Sequence, residues 1–320
     1  MWRFVVPVAV LALVGVLFLT TGGAPVGHFT SAAGKDRFDA AYRSAMARMP
    51  PPDATLDVRT TFGVVRMYRY ERAPSAPTPN PGAPTVLDDH APLVLLPGRA
   101  SPSPLWADNL ATLRAVRTVY LVDLLGEPGA SVQSRPIVDD ADQATWLAEA
   151  LAALPAPRVH LVGYSIGGWT AANLATRRPE RLASVTLLDP AMTYATIPLG
   201  TVVRSVPASV RWLPRSWRDA FASYTANGAP VEDEPVAAMI EAGMQTYALA
   251  LPRPGLLEPR IPVPTLVILA GRSVMHDSAA AAATAQRLGA RVLTYPDASH
   301  ALVGEHPDRV AADLAAFLPS

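Results

Sequence analysis

The sequence predicts an α/β protein whose mostly parallel sheet is covered by helices on both faces and interrupted by a helical cap. Three observations carry that reading. Six short runs rich in leucine and β-branched residues recur along the chain, at Leu93–Leu96, Thr118–Asp123, Val159–Val162, Ser184–Leu188, Thr265–Leu269 and Val292–Tyr295. Helix-length segments such as 140–154, 167–177 and 277–289 fill all but one of the connections, the pattern of right-handed βαβ crossovers under a doubly covered sheet. The exception is 190–262, which holds Pro207, Trp212, Pro214 and Trp217 and is too long for a plain loop, so it reads as the cap.

Taken in chain order, the first segment stands apart. Phe4 to Leu19 carries no charged or strongly polar side chain, and with Met1, Trp2, Thr20 and Thr21 it reaches the ~20 residues a helix needs to cross a bilayer. Residues 1–22 are expected to be a retained membrane anchor, with Arg3 on the cytoplasmic side and the body of the protein outside. A cleaved signal peptide ending near Ser31-Ala32-Ala33, and hence a secreted protein, is the alternative.

Residues 23–53 read as a linker and an amphipathic helix. Phe38, Tyr42, Ala45, Met46 and Met49 share one helical face, Ser31 is a plausible N-cap, and Pro50-Pro51-Pro52 ends the element. That stripe is expected to pack against the main domain. Leu56–Thr60 and Val64–Tyr70 alternate around Phe62-Gly63, which predicts a β-hairpin, and the Pro-rich stretch 73–92 reads as a surface loop. The α/β core is thus expected over 54–189 and 263–320, with the cap at 190–262 between its two parts.

Composition narrows the chemistry. The chain has 320 residues, 27 basic and 27 acidic side chains, and no cysteine. Balanced charge offers no electrostatic reason for a nucleic-acid partner. Without cysteine there is no disulfide framework, thiolate metal site or thiol nucleophile, so nucleophilic chemistry falls to Ser, Thr, Asp or Lys.

One serine stands out. Gly163-Tyr164-Ser165-Ile166-Gly167 lies between an apolar strand and a helix rich in small residues. A sharp strand-to-helix turn strains the serine backbone and leaves no room for side chains two residues to either side, which the two glycines respect. Ser165 is the candidate nucleophile, and the N–H of Ile166, at the positive end of the following helix, can face a developing oxyanion.

A serine needs a base. Of His28, His90, His160, His276, His300 and His306, His300 follows the last strand after the short loop Pro296-Asp297-Ala298-Ser299, which delivers it to the C-terminal edge of the sheet. His28 lies near the apolar terminus, His90 in the Pro-rich loop, His160 inside a strand and His306 at the start of the last helix. His276 is the one competitor to His300 as the base and is expected to line the site instead.

The order of G-x-S-x-G, cap, acidic loop and late Asp297-Ala298-Ser299-His300 resembles the α/β-hydrolase superfamily in its capped esterase and carboxylesterase branch, over residues 54–318. The resemblance implies an α/β-hydrolase fold and an oxyanion loop at Leu96-Pro97-Gly98-Arg99-Ala100-Ser101, with the Arg99 N–H as second donor. Where most relatives have His-Gly, this chain has Pro97-Gly98, losing a side chain that braces the loop. The resemblance also implies a triad acid after the seventh strand; Val274 occupies the usual position, and Asp277 follows it in Gly271-Arg272-Ser273-Val274-Met275-His276-Asp277. Asp189, at the end of the preceding strand, is the alternative acid. Competing structural roles are an N-cap for Asp277 and a brace before Pro190 for Asp189.

The function this implies is hydrolysis of a carboxylic ester, or related acyl bond, of a small apolar substrate through an acyl-serine, with no metal or organic cofactor. Met192, Tyr194, Trp212, Trp217 and Met244 are expected to form an apolar pocket. The alternative is a membrane-tethered, non-catalytic relative that binds a ligand or a partner.

Overall fold

The computed structural model describes residues 25–73, 91–209, 223–226 and 234–318. The expected anchor, most of the Pro-rich loop with His90, and Trp212, Pro214 and Trp217 lie outside these. Among the described residues no helix is long and apolar enough to cross a membrane.

The first described elements are a two-residue strand, β1 (His28–Phe29), and α1 (Ala32–Met46). Ser31 caps α1 as its spacing predicts, its side chain accepting the Gly34 N–H at 3.0 Å. The hairpin follows as β2 (Ala54–Thr60) and β3 (Gly63–Tyr70), antiparallel with Thr60 opposite Gly63. Next come β4 (Leu93–Leu96), a 3-10 turn at Ser103–Trp106, α2 (Ala107–Val116) and β5 (Val119–Val122). A short β6 (Val132–Gln133) precedes α3 (Asp140–Ala152), β7 (Val159–Tyr164) and α4 (Ile166–Arg177).

After β8 (Leu182–Leu188) the long connection contains α5 (Leu199–Ser209), α6 (Pro235–Thr246) and β9 (Tyr247–Ala248). The chain then returns to the sheet as β10 (Thr265–Ala270), α7 (Ser278–Arg287) and β11 (Arg291–Tyr295), and closes on α8 (Leu302–Glu305) and α9 (Pro307–Phe317).

The sheet order is β11-β10-β8-β7-β4-β5-β3-β2. From β11 to β5 every pair is parallel; β3 joins β5 antiparallel and carries β2 and β6 on its other contacts. The hairpin is therefore the antiparallel edge of the main sheet. Burial on both sides follows the two-residue period of each strand. In β4, Val94 and Leu96 pack with Leu147 and Leu151 of α3 and Leu174 of α4, while Leu93 and Leu95 pack with Leu110 and Leu113 of α2 and Leu314 of α9. Each of these buried side chains contributes about 1.5–3 kcal/mol, which is why β4 is apolar without alternation.

The α1 stripe meets two partners. Phe38 and Ala45 cluster with Met239 and Ala242 of α6, and Phe29 stacks against Phe38 with ring centres 5.0 Å apart. On the same helix the Tyr42 hydroxyl donates to Asp123 at 2.8 Å, at the end of β5. Beside α1, β1 pairs antiparallel with β9.

Candidate active site

Parallel strands deliver their following loops to one edge of a sheet, and the chemistry-bearing residues gather there. Ser165 lies between β7 and α4 with φ 54° and ψ −118°, a strained backbone costing on the order of 1–3 kcal/mol. Hydrogen bonds from the Ser165 N–H to Leu188 O (3.0 Å) and from the Ala191 N–H to Ser165 O (3.2 Å) hold it.

The flanking glycines are steric necessities. A Cβ at Gly163 would come within 2.3 Å of the Gly167 carbonyl oxygen, and one at Gly167 within 2.3 Å of that of Pro97. Gly167→Ala is accordingly expected to push the α4 start away from the Pro97 loop, lowering stability by about 1–3 kcal/mol and any turnover that depends on Ser165 more than proportionately. Thermal melts and rates on the purified variant check this.

Ser165 and His300 are brought together. Ser165 Oγ lies 2.9 Å from His300 Nε2, and His300 Nδ1 lies 2.6 Å from Asp189 Oδ2. His300 follows β11, and its backbone carbonyl accepts the Tyr164 hydroxyl at 2.7 Å. Glu305 accepts both the N–H and the hydroxyl of Ser299, fixing the loop that presents the imidazole.

Asp277 does not take the place expected of it. Its Oδ1 accepts the Ala280 N–H at 2.9 Å as the N-cap of α7, and its side chain is exposed. Asp189, the alternative, meets the imidazole instead. The physical reason lies in the β10–α7 loop, which turns His276 inward and leaves its neighbour Asp277 outside, where the free N–H groups of a helix start engage it.

Asp189 is fully buried with φ 40°. Its Oδ1 accepts from the Ala270 N–H (2.9 Å) and His276 Nε2 (2.8 Å); its Oδ2 accepts from the Ser273 hydroxyl (2.7 Å) and His300 Nδ1. Two donors per oxygen fill the four lone-pair sites of a carboxylate. Burial works to raise this carboxyl, but the hydrogen bonds from His276 and His300 outweigh it and hold Asp189 well below the usual carboxylate range. A depressed folded-state value contributes stability above the unfolded value, lost only as pH falls toward the depressed one.

Neither Ser273 nor the contact from His276 to Asp189 was foreseen. The only sequence signal was an acidic residue closing the apolar β8, beside a loop rich in hydrogen-bond donors. The other histidines lie apart: His28 is exposed near the start of the described chain, His160 is buried in β7 against the Ser184 hydroxyl (2.8 Å), and His306 meets the Tyr295 ring.

With this geometry in place, comparison with known proteins gives a consistent answer. The family model described as the alpha/beta hydrolase family matches residues 93–313, well over half of the chain. The chain belongs to that family. Among curated relatives it is 34% identical over 107 residues to "Uncharacterized carboxylesterase nap" of Bacillus subtilis, covering 33% of this chain and 36% of the relative. It is 28% identical over 158 residues to carboxylesterase YbfK of the same organism, covering 49% and 48%. These matches span about a third to a half of the relatives' length. Among solved structures, naproxen esterase (carboxylesterase NP) of Bacillus subtilis superposes with a TM-score of 0.77 at 22% identity, over 90% of this chain and 99% of that one.

In this member of the alpha/beta hydrolase family, the loop after β4 sits against the elbow. A Cβ at Gly98 would lie 3.5 Å from Ser165 Cβ, and the side chains of Arg99 and Ile166 line one pocket with Leu124, Trp146, Trp169 and Leu251. Free space there is about 20 Å³, room for one water. Without the family's bracing histidine the loop is held differently. The Arg99 guanidinium forms an ion pair with the buried Glu127 at 2.8 Å, and Glu127 accepts the Ala100 N–H at 3.2 Å. Burial pushes the Glu127 carboxyl up, only partly offset by Arg99 and that N–H.

Of the residues expected to form an apolar pocket, Trp212 and Trp217 lie outside the described residues, Tyr194 is buried with the core cluster against the sheet, and Met244 is 40% exposed.

Proposed function

We propose that this protein hydrolyses carboxylic esters of small apolar substrates through an acyl-serine intermediate. The observation that carries the reading is the continuous contact from Ser165 Oγ through His300 to Asp189, at 2.9 and 2.6 Å. Because all four donors around Asp189 must point at it, His300 bears its proton on Nδ1 and presents a bare Nε2 to the serine hydroxyl.

In the forward step Ser165 Oγ attacks the ester carbonyl carbon while His300 Nε2 takes the hydroxyl proton. The carbonyl π pair moves onto oxygen, where the N–H groups of Ile166 and Arg99 are the proposed donors. The tetrahedral species collapses, the C–O bond to the alcohol breaks, and His300 returns the proton to the leaving oxygen. Water then repeats the sequence on the acyl-serine, releasing acid and free Ser165. The carboxylate stays ionised throughout, since its saturated oxygens offer a proton no better place than the imidazole.

Names borne by the relatives, carboxylesterase and naproxen esterase, support an ester substrate. The test is labelling of purified protein by a fluorophosphonate probe, peptide mapping of the adduct, and a p-nitrophenyl ester series. The expected result is an adduct on the Ser165 peptide and rates that fall beyond short acyl chains; labelling at another serine, or none, rejects the reading.

A further inference from the structure

We infer that His276 is a positioning residue of this site, a second imidazole that shares the charge of Asp189 and fixes the direction in which that carboxylate faces His300. The inference rests on the serine-hydrolase reading above, and it concerns a residue which that mechanism does not use.

The geometry is that of one carboxylate between two imidazoles. His276 Nε2 is 2.8 Å from Oδ1 and His300 Nδ1 is 2.6 Å from Oδ2. The His276 side chain is 1% exposed, and its Nδ1 is buried without a hydrogen-bond partner among the described residues. Since Ala270 N–H already donates to Oδ1 and the carboxylate has only acceptors to offer, His276 must hold its proton on Nε2. A second N–H at Nδ1 would have no acceptor among the described residues, so this imidazole serves Asp189 as a donor through Nε2.

The arrangement has a chemical consequence. A carboxylate that gives one oxygen to His276 and the Ala270 amide presents a less concentrated charge to His300 than one bound by His300 alone. The imidazolium formed in catalysis is therefore held in a fixed orientation by a carboxylate whose charge it shares with His276. Rotation of the carboxylate is also blocked, because any turn about its axis breaks contacts on both oxygens.

Other ionisable groups near this cluster are few. Tyr164, beneath the His300 ring, is kept neutral by burial, with Asp189 and Glu305 adding to the effect. Glu305 is engaged by Ser299. Arg272 and Asp277 on the His276 loop are exposed, and Glu127 is paired with Arg99 on the other side of the elbow.

The experiment compares pH profiles of kcat/KM for wild type, His276→Phe, His276→Gln and Ser273→Ala. Removing a donor concentrates the Asp189 charge on His300, so His276→Phe is expected to move the acid limb about one unit to higher pH and lower kcat about 10-fold. His276→Gln, which offers an amide N–H, should bring the limb back toward wild type. Ser273→Ala, which removes a donor from the other oxygen, should shift it in the same direction as His276→Phe. A limb that stays in place in His276→Phe while activity falls uniformly would mean a packing role alone and overturn the inference.

A measurement on unmodified protein covers the case in which His276→Phe does not fold. Proton NMR should show two low-field imidazole N–H resonances, one from His276 and one from His300; a single such proton, absent in His300→Gln, overturns the inference. This signal does not depend on turnover. Failure of the serine reading, seen as hydrolysis that survives Ser165→Ala, is thereby distinguished from failure of the His276 role.

Discussion

Ser165→Ala is expected to lose ester hydrolysis by a factor on the order of 10⁵–10⁶ in kcat while melting close to wild type. The hydroxyl is the only atom removed, and the alanine Cβ keeps the backbone at φ 54° in the strain it already bears. His300 Nε2 loses its partner at 2.9 Å, but that contact is small beside the core on either face of the sheet. Stopped-flow or long-time assays with a p-nitrophenyl ester, paired with fluorophosphonate labelling, check both halves. Equal labelling of wild type and variant would remove Ser165 from the chemistry.

Asp189→Asn is expected to lower kcat on the order of 10⁴-fold, and Asp277→Ala to leave it within about twofold. The amide that replaces Asp189 has one acceptor oxygen in place of two, so it meets four donors with half the acceptors and forces His300 toward the wrong tautomer. Some loss of stability follows from the same mismatch, of order 3 kcal/mol. Asp277→Ala removes only the N-cap of α7, worth about 1 kcal/mol, and its effect should appear in the melting temperature alone. Kinetics and melts on the two variants side by side decide it; a collapsed kcat in Asp277→Ala beside a near-normal Asp189→Asn would return the acid to the β10–α7 loop.

Legibility of this chain from its sequence differed between elements for physical reasons. The parallel strands announced themselves because both faces are buried, so apolar residues run on without alternation, as in Leu93–Leu96. The elbow was legible because steric exclusion leaves only glycine at 163 and 167. His300 could be placed from its position after the last strand. The acid could not, because two carboxylates follow neighbouring strands, and which one turns inward depends on how the loop after β10 packs, a tertiary matter. His276 was assigned to the lining, and its contact with Asp189 arises only when loops from β8 and β10 meet. Glu127 left no local trace of its pairing with Arg99, since the two are joined across two strands.

The union of α1 with α6 has a consequence for how the chain is made. Thr30 bonds the carbonyl of Thr246 at a separation of 216 residues, and a ribosome adding ~5–20 residues per second needs roughly 10–40 s to cover that interval. Throughout it the apolar face of α1, with Phe38 and Ala45, has no α6 to cover it. Synthesis therefore runs with an uncovered hydrophobic stripe on the emerging chain, a surface that chaperones can hold and that aggregation can capture, until one of the last-made parts of the long connection closes over α1.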